Sequence, residues 1–316
     1  MNRKQISGKW NLRNRFAPAA LVFVLACPSQ AFGLDTNPLL ASLAPALQRD
    51  GPSNWKLVKS EIPGIASVSL FARALAGDGQ TDNWRIVNAA EAGKKPWTAV
   101  GNFLIPGLGG YCSAVLVAPR VILTANHCLY MPDYNKRDAR GNPGKQLMEA
   151  TRFVFVAGVH DSTFVDSIPV EKVITGGWAP GEEQTSKDWA IAILARPASS
   201  DIVPIAFRSY DPKAVTAAWR NKLIVAGYPG ASFAFSAVLR FSFNCSMLQS
   251  VSANIVTHDC PSENGSSGGP ILVEDDGELK LIGIHSSSRN VYSQSKDGVS
   301  INSFYAQLNG AVASVQ

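Results

Sequence analysis

Three side chains in this sequence, His127, Asp188 and Ser267, have the types and surroundings needed for nucleophilic catalysis. A serine hydroxyl attacks poorly until a base takes its proton, and an imidazole serves as that base when an acceptor behind it sets its tautomer. Ser267 stands in Asn264-Gly265-Ser266-Ser267-Gly268-Gly269-Pro270. The glycines let the backbone turn so that the N–H groups of Gly265 and Ser267 can converge on a developing oxyanion. Ser266 is the rival nucleophile; glycine two positions before and one position after favours Ser267. By itself such a cluster is a plain turn, so the assignment depends on a histidine and a carboxylate elsewhere.

His127 ends the run Val121-Ile122-Leu123-Thr124-Ala125-Asn126-His127-Cys128, and Asp188 precedes Trp189-Ala190-Ile191-Ala192-Ile193-Leu194. Each run reads as a buried strand, which would fix a base at one strand end and shield a carboxylate at another. Asp161 and Asp166 compete for the carboxylate role but lie in a turn-like segment, and His160 and His258 read as structural. The letters Gly265-Ser266-Ser267-Gly268-Gly269 also satisfy the Gly-x-Ser-x-Gly elbow of esterases, which needs its acid and histidine downstream of serine; here the convincing histidine is upstream.

The elements that would position these residues are brief apolar runs separated by Gly, Pro and Asp: Thr98 to Leu104, Cys112 to Val117, Val121 to Thr124, Arg152 to Val159, Ile168 to Ile174 and Ala190 to Leu194. A second set comprises Leu223 to Gly227, Phe235 to Asn244, Ser252 to Thr257, Gly269 to Glu274, Leu279 to His285 and Ser300 to Ile301, followed by a helix from about Asn302 to Leu308. Short strands at this spacing describe barrels or sandwiches, not βαβ units. The expected fold is all-β, with two six-stranded antiparallel β-barrels and a short C-terminal helix; residues 86–198 would form the first barrel and 199–316 the second.

The order His127, Asp188, Ser267 is that of proteases built from two β-barrels. From about Ile86 onward the chain resembles the trypsin-like serine protease superfamily, of chymotrypsin fold, and within it the bacterial glutamyl endopeptidase (V8-like) branch. Thr124-Ala125-Asn126-His127-Cys128 resembles that family's Thr-Ala-Ala-His-Cys segment, with Asn126 in place of alanine, and Asp188-Trp189-Ala190 matches its Asp-x-Ala strand. Arg85-Ile86-Val87 resembles an activation site, which implies cleavage after Arg85. In ordinary trypsin-like zymogens the freed amino group pairs with an aspartate directly before the nucleophile; Ser266 stands there, as a residue other than aspartate does in the V8-like branch.

The resemblance also implies a specificity pocket. Enzymes that cut after basic residues carry an aspartate six positions before the nucleophile, where this chain has Pro261, with Asp259 and Glu263 nearby. Gly283-Ile284-His285-Ser286 resembles the stretch whose histidine contacts an acidic P1 side chain in glutamyl endopeptidases, and Ser262 can add a hydroxyl. The implied activity is a serine endopeptidase acting through an acyl-enzyme, with Glu or Asp preferred at P1. The alternatives are an inactive protease-like binding protein and an active protease with a non-acidic P1 preference.

Residues 1–31 combine Arg3, Lys4, Lys9, Arg13 and Arg15 with the apolar run Phe16 to Ala26 and Ser29-Gln30-Ala31, the pattern of a signal peptide cleaved after Ala31. Residues 32–85 read as a propeptide or N-terminal extension, with a short helix over Leu39 to Leu47 and an ambiguous segment over Ile65 to Leu75. The expected destination is secretion, extracellular or periplasmic. The 29 basic and 24 acidic residues give a net charge of +5, but five of the basic residues and no acidic one belong to the leader. The remainder is balanced, which argues against a nucleic-acid partner. A protein or peptide substrate, a monomer and no stable membrane association are the expectations.

Without Cys27, four cysteines remain: Cys112, Cys128, Cys245 and Cys260. In an exported chain they read as two disulfides with three possible pairings. Cys112–Cys128 and Cys245–Cys260 are preferred because each would staple neighbouring strands within one half. The set lacks Cys-x2-Cys spacing, and neither a metal nor a cofactor is expected.

Overall fold

A computed structural model describes residues 47–50, 54–57, 84–106, 111–161, 163–177, 184–211, 219–230, 238–248, 252–275, 277–288 and 295–316. The signal sequence with Ala31 and Cys27, the helix expected over Leu39 to Leu47 save its last residue, and the segment Ile65 to Leu75 lie outside the described residues. No helix among the described residues is long and apolar enough to cross a membrane.

The strands are β1 (Leu47–Asp50), β2 (Asn54–Leu57), β3 (Trp84–Ile86), β4 (Val100–Leu104), β5 (Tyr111–Ala118), β6 (Val121–Thr124), β7 (Tyr130–Arg137), β8 (Pro143–Leu147), β9 (Val154–Ala157), β10 (Asp166–Thr175), β11 (Ala190–Leu194), β12 (Leu223–Gly227), β13 (Arg240–Cys245), β14 (Ile255–His258), β15 (Pro270–Asp275), β16 (Glu278–Ser288) and β17 (Lys296–Ser300). Among the described residues two α-helices, α1 (Ala89–Ala92) and α2 (Tyr305–Ala313), complete them. The fold is mostly β, with one short C-terminal helix.

Six strands close into a barrel in the order β10-β11-β6-β5-β4-β9, all pairs antiparallel. Its interior is aliphatic and aromatic: β4, β6, β9 and β11 are buried along their whole lengths. Such continuous burial explains why these strands read as unbroken apolar runs rather than as alternations.

The second half is a seven-stranded sheet, β14-β17-β16-β15-β12-β13-β3. Where a second closed barrel was expected this is an open strand order, in which, among the described residues, only the chain leaving β13 touches the outer side of the edge strand β14. There Met247 bridges His258, and Leu248 N donates to Thr257 O at 2.8 Å. Against the expected six strands, β3 is an addition: Trp84–Ile86 pairs with Arg240–Ser242 of β13, so a segment preceding the first barrel in sequence belongs to the other sheet. Both expected disulfides are present, Cys112–Cys128 with Cα atoms 6.0 Å apart and Cys245–Cys260 with Cα atoms 5.0 Å apart.

The halves are joined by buried polar contacts and by the C-terminal segment. The Tyr228 hydroxyl, just after β12, accepts from Val159 N at 2.9 Å and donates to Val159 O at 3.1 Å in the first half. Burial pushes that phenol far above its ordinary range, so it stays a neutral clamp. Phe304, at the start of α2, stacks on Trp189 of the first half with ring centroids 5.0 Å apart.

Candidate active site

The candidate histidine and carboxylate lie just beyond two adjacent strands of the closed barrel. β6 and β11 pair through Thr124↔Ala190, so the residues just beyond them, His127 and Asp188, emerge at the same rim. Asp188 Oδ2 lies 2.7 Å from His127 Nδ1, and Asp188 Oδ1 accepts from the backbone N of His127 at 2.8 Å. Ser286 Oγ donates to Asp188 Oδ2 at 2.5 Å. Burial alone would raise the Asp188 carboxyl, but the His127 charge and the hydrogen bonds from His127 and Ser286 hold it below the usual carboxylate range. An ionised Asp188 keeps the His127 proton on Nδ1 and leaves Nε2 as an acceptor.

The competing carboxylates are engaged elsewhere. Asp166 accepts from Arg196 Nη1 and Nη2 at 2.9 and 2.6 Å, and Asp161 sits 3.2 Å from His160 Nδ1.

Ser267 occupies a turn held by the other half. Ser113 N donates to Ser267 O at 2.8 Å, Ser113 Oγ donates to Gly265 O at 2.8 Å, and Gly268 N donates to His285 O at 2.7 Å. Gly268 has φ +80°, and a Cβ there would collide with Thr124 Oγ1 and the Ser113 carbonyl. Gly265 likewise has φ +95°. Both glycines therefore have a stereochemical reason: a left-handed backbone, and at Gly268 a close approach to the first barrel. Among the described residues neither Gly265 N nor Ser267 N donates to a protein acceptor, whereas Ser266 N between them donates to Glu263 O at 3.0 Å. The Ser267 hydroxyl donates to Ser286 O at 3.3 Å; rotation about χ1 is needed to turn it to another acceptor.

Behind this turn lie two buried histidines. Cys260 N donates to His258 Nδ1 at 3.2 Å, so neutral His258 carries its proton on Nε2, 3.3 Å from His285 Nδ1. His285 then accepts at Nδ1 and keeps a donor at Nε2. Burial, reinforced by the positive fields of His127 and Lys296 and opposed by Asp188, lowers the His285 pKa to about 4. His258 is also held well below its ordinary value, by burial first and then by His285 and Lys296. The Ser262 hydroxyl is enclosed and has no hydrogen-bond partner among the described residues. The side-chain oxygen and nitrogen of buried Asn126, beside His127, are in the same condition.

The trypsin family model matches residues 86–308, which span both halves of this arrangement. The chain belongs to the trypsin family. It is accordingly a serine endopeptidase of chymotrypsin fold. Among solved structures it is similar to a Glu endopeptidase in complex with MPD, at 19% sequence identity and a TM-score of 0.55, covering 74% of this chain and 98% of that one. No curated protein sequence matches the chain.

Two features of this trypsin-family site carried no sequence signal. Ser113 joins three parts of it: besides its bonds to Gly265 and Ser267, its Oγ accepts from Tyr228 N at 2.8 Å and its carbonyl accepts from Thr124 Oγ1 at 2.8 Å. Only its position beside Cys112 set it apart in sequence. The His258–His285 contact joins residues 27 apart and depends on β14 and β16 both flanking β17. The proposed processing residue Arg85 lies within β3, paired with Phe241, and its guanidinium stands 4.7 Å over the Phe243 ring. A protease reading the Arg85–Ile86 bond must first lift β3 from β13.

Proposed function

We infer that this trypsin-family protein hydrolyses peptide bonds through an acyl-enzyme in which Ser267 attacks, His127 moves the proton and Asp188 orients and stabilises the imidazole. The observation carrying this reading is the 2.7 Å contact of Asp188 Oδ2 with His127 Nδ1 at the same rim as a serine turn that carries two unclaimed amide donors, Gly265 N and Ser267 N. The Ser267 hydroxyl rotates from Ser286 O to His127 Nε2 when substrate closes the site, since catalytic hydrogen bonds often tighten only in the Michaelis complex. The N–H pair then faces the developing oxyanion.

At P1 the preferred residue is Glu or Asp. Neutral His285, carrying its donor on Nε2, and the unpartnered Ser262 hydroxyl can together hold a carboxylate without a permanent positive charge, whereas the Ser286 hydroxyl is committed to Asp188. The Glu endopeptidase likeness supports this reading. The remaining organisation follows: a signal over residues 1–31 cut after Ala31, a propeptide over 32–85 cut after Arg85, a first half over 86–198 and a second over 199–316, acting as a secreted monomer on protein substrates. Covalent labelling by a serine-directed organophosphonate, lost in Ser267→Ala, together with a peptide-library cleavage profile, tests the proposal. No labelling and no cleavage by folded, processed protein would leave a protease-like binding protein. Preference for Arg, Lys or an apolar residue would overturn the P1 assignment alone.

A further inference from the structure

The outer face of the second sheet carries an open groove of about 470 Å³ that the site described above does not use. Ile224 of β12 and Phe241 and Phe243 of β13 form its floor, and exposed Lys222, Asn244 and Glu274 form its rim. The three floor residues are only half-buried, so an apolar surface remains open there. Alternation along β13 separates this face from the interior. Ser242 points inward, its Oγ donating to Pro261 O at 2.5 Å, while Phe241 and Phe243 on either side of it point outward. Phe241 also meets Trp97, with ring centroids 4.7 Å apart.

β3 borders the groove. Arg85 lies opposite Phe241, and its guanidinium stands over the Phe243 ring. Because β3 is antiparallel to β13, with Ile86 opposite Arg240 and Trp84 opposite Ser242, the chain enters Trp84 from the side of Phe243 and Asn244. The residues before Trp84 are therefore tethered at the edge of the groove, and their composition matches it. Residues 76–83 carry Asp78 and Asp82 and no basic side chain, which suits the charges of Lys222 and Arg85. Residues 65–75 carry Leu70, Phe71 and Leu75 for the apolar floor, and Arg73 with no acid for Glu274. Reach is not limiting. The eight residues 76–83 span at most about 28 Å, against about 14 Å for the three strand spacings between β3 and β15.

We propose that this groove is the docking site for the chain's own residues 65–75, and that the docked segment clamps β3 onto β13 and so guards the Arg85–Ile86 bond. Tethering holds the segment at a local concentration on the order of 1 mM, so a modest contact suffices. The contact itself does not depend on the chemistry of Ser267. Its consequence rests on the reading of Arg85 as the processing residue.

The test uses the full chain carrying Ser267→Ala, which removes self-cleavage from the readout. A trace of arginine-specific protease is added, and the initial rate of cutting at Arg85–Ile86 is followed by mass as the Ile86 N-terminus appears. Phe71→Ser with Leu75→Ser should speed the cut by about tenfold or more. Glu274→Arg alone and Arg73→Glu alone should each speed it by about two- to fivefold, less so at high salt, and the two together should return it to the starting rate. A zero-length carbodiimide cross-link should join Lys222 to Asp78 or Asp82. Unchanged rates in the segment variants, or single reversals that the double reversal does not repair, overturn the docking site. Should the Phe71/Leu75 variant fail to fold, the charge cycle alone decides. Protection that grows with protein concentration assigns the groove to a second copy and overturns the proposal as well. The expected cross-link and charge cycle, in a protein whose processed form begins elsewhere than Ile86, would support the contact and overturn the Arg85 processing reading alone.

Discussion

The two halves of this molecule solve different problems with different interiors. The first closes six strands around Phe103, Leu116, Ile122, Leu123, Phe155 and Ile191, all at 1% exposure or less, and delivers His127 and Asp188 from neighbouring strand ends. The second encloses two imidazoles, His258 at 0% and His285 at 3% exposure, and delivers a serine from a glycine turn. Both interiors are mainly aliphatic and both bury several polar side chains; the buried imidazole pair is what sets the second apart, and burying it carries a cost that depends on pH. The division predicts that damage to the first half's rim removes chemistry, while damage to the second half's interior changes stability with pH.

The largest effect tests the rim. Asp188→Asn should lower kcat by about 10⁴-fold with little change in KM, because an amide cannot enforce the imidazole tautomer or stabilise its charged form. Near-native circular dichroism with this loss would separate chemistry from folding. A variant retaining a tenth of wild-type turnover would remove Asp188 from the mechanism.

The next concerns the seam. Gly268 and Gly277 have similar left-handed backbones, φ +80° and +75°, but a Cβ at Gly277 meets nothing within 4 Å, whereas one at Gly268 meets Ser113 and Thr124 of the first barrel. Gly277→Ala should cost about 1 kcal/mol for its backbone alone, and Gly268→Ala about 3 kcal/mol or more, with loss of organophosphonate labelling. Urea midpoints for the two variants measure the seam by difference. Equal costs would show that the nucleophile turn does not depend on contact with the first barrel.

The third prediction isolates the second interior. A folded-state pKa of about 4 for His285, against an ordinary value near 6.5, means that the unfolded chain takes up the proton first as pH falls. Stability is therefore highest above about pH 6.5, falls by about 3 kcal/mol towards pH 4 from this group, and loses nothing further from it below that. His258 acts in the same direction. His285→Gln should flatten the change in urea midpoint between pH 7 and pH 4.5. An unaltered slope would locate the acid sensitivity in other groups.

These differences also explain what could be read beforehand. Val121–Thr124, Ala190–Leu194 and Leu223–Gly227 occupy the expected residues, because strands buried on both faces betray themselves as apolar runs between turn residues. Tyr130–Arg137 went unread for the opposite reason: little of it beyond its base faces a core, so no alternation marks it. Trp84–Ile86 was legible as a motif but not as a strand, since its partner Arg240–Ser242 is far along the chain. The closing helix starts at Tyr305 instead of Asn302, because Ile301–Ser303 makes a 3-10 turn in which the Ser300 side chain accepts from Asn302 N. In the candidate site, the pairing of His127 with Asp188 was legible by type and order. Ser113 was not, because a serine next to a cysteine has no periodicity or motif to announce it.

Ser113 is where the two halves can be uncoupled most gently. Its hydroxyl serves Tyr228 N and Gly265 O, and its backbone serves Ser267 O and Thr124 Oγ1. Ser113→Ala keeps the backbone contacts and removes only the hydroxyl, leaving one amide and one carbonyl unpaired in a buried seam. The expected cost is about 1–3 kcal/mol, with organophosphonate labelling slower by roughly tenfold as the Gly265 end of the turn loosens. Ser113→Thr should restore much of both if its Oγ1 takes the same position. Cysteine, similar in size to serine but with a poor donor and acceptor, should recover packing without recovering rate. A rate that follows side-chain size instead of hydrogen-bonding capacity would mean that the seam holds the nucleophile by packing alone.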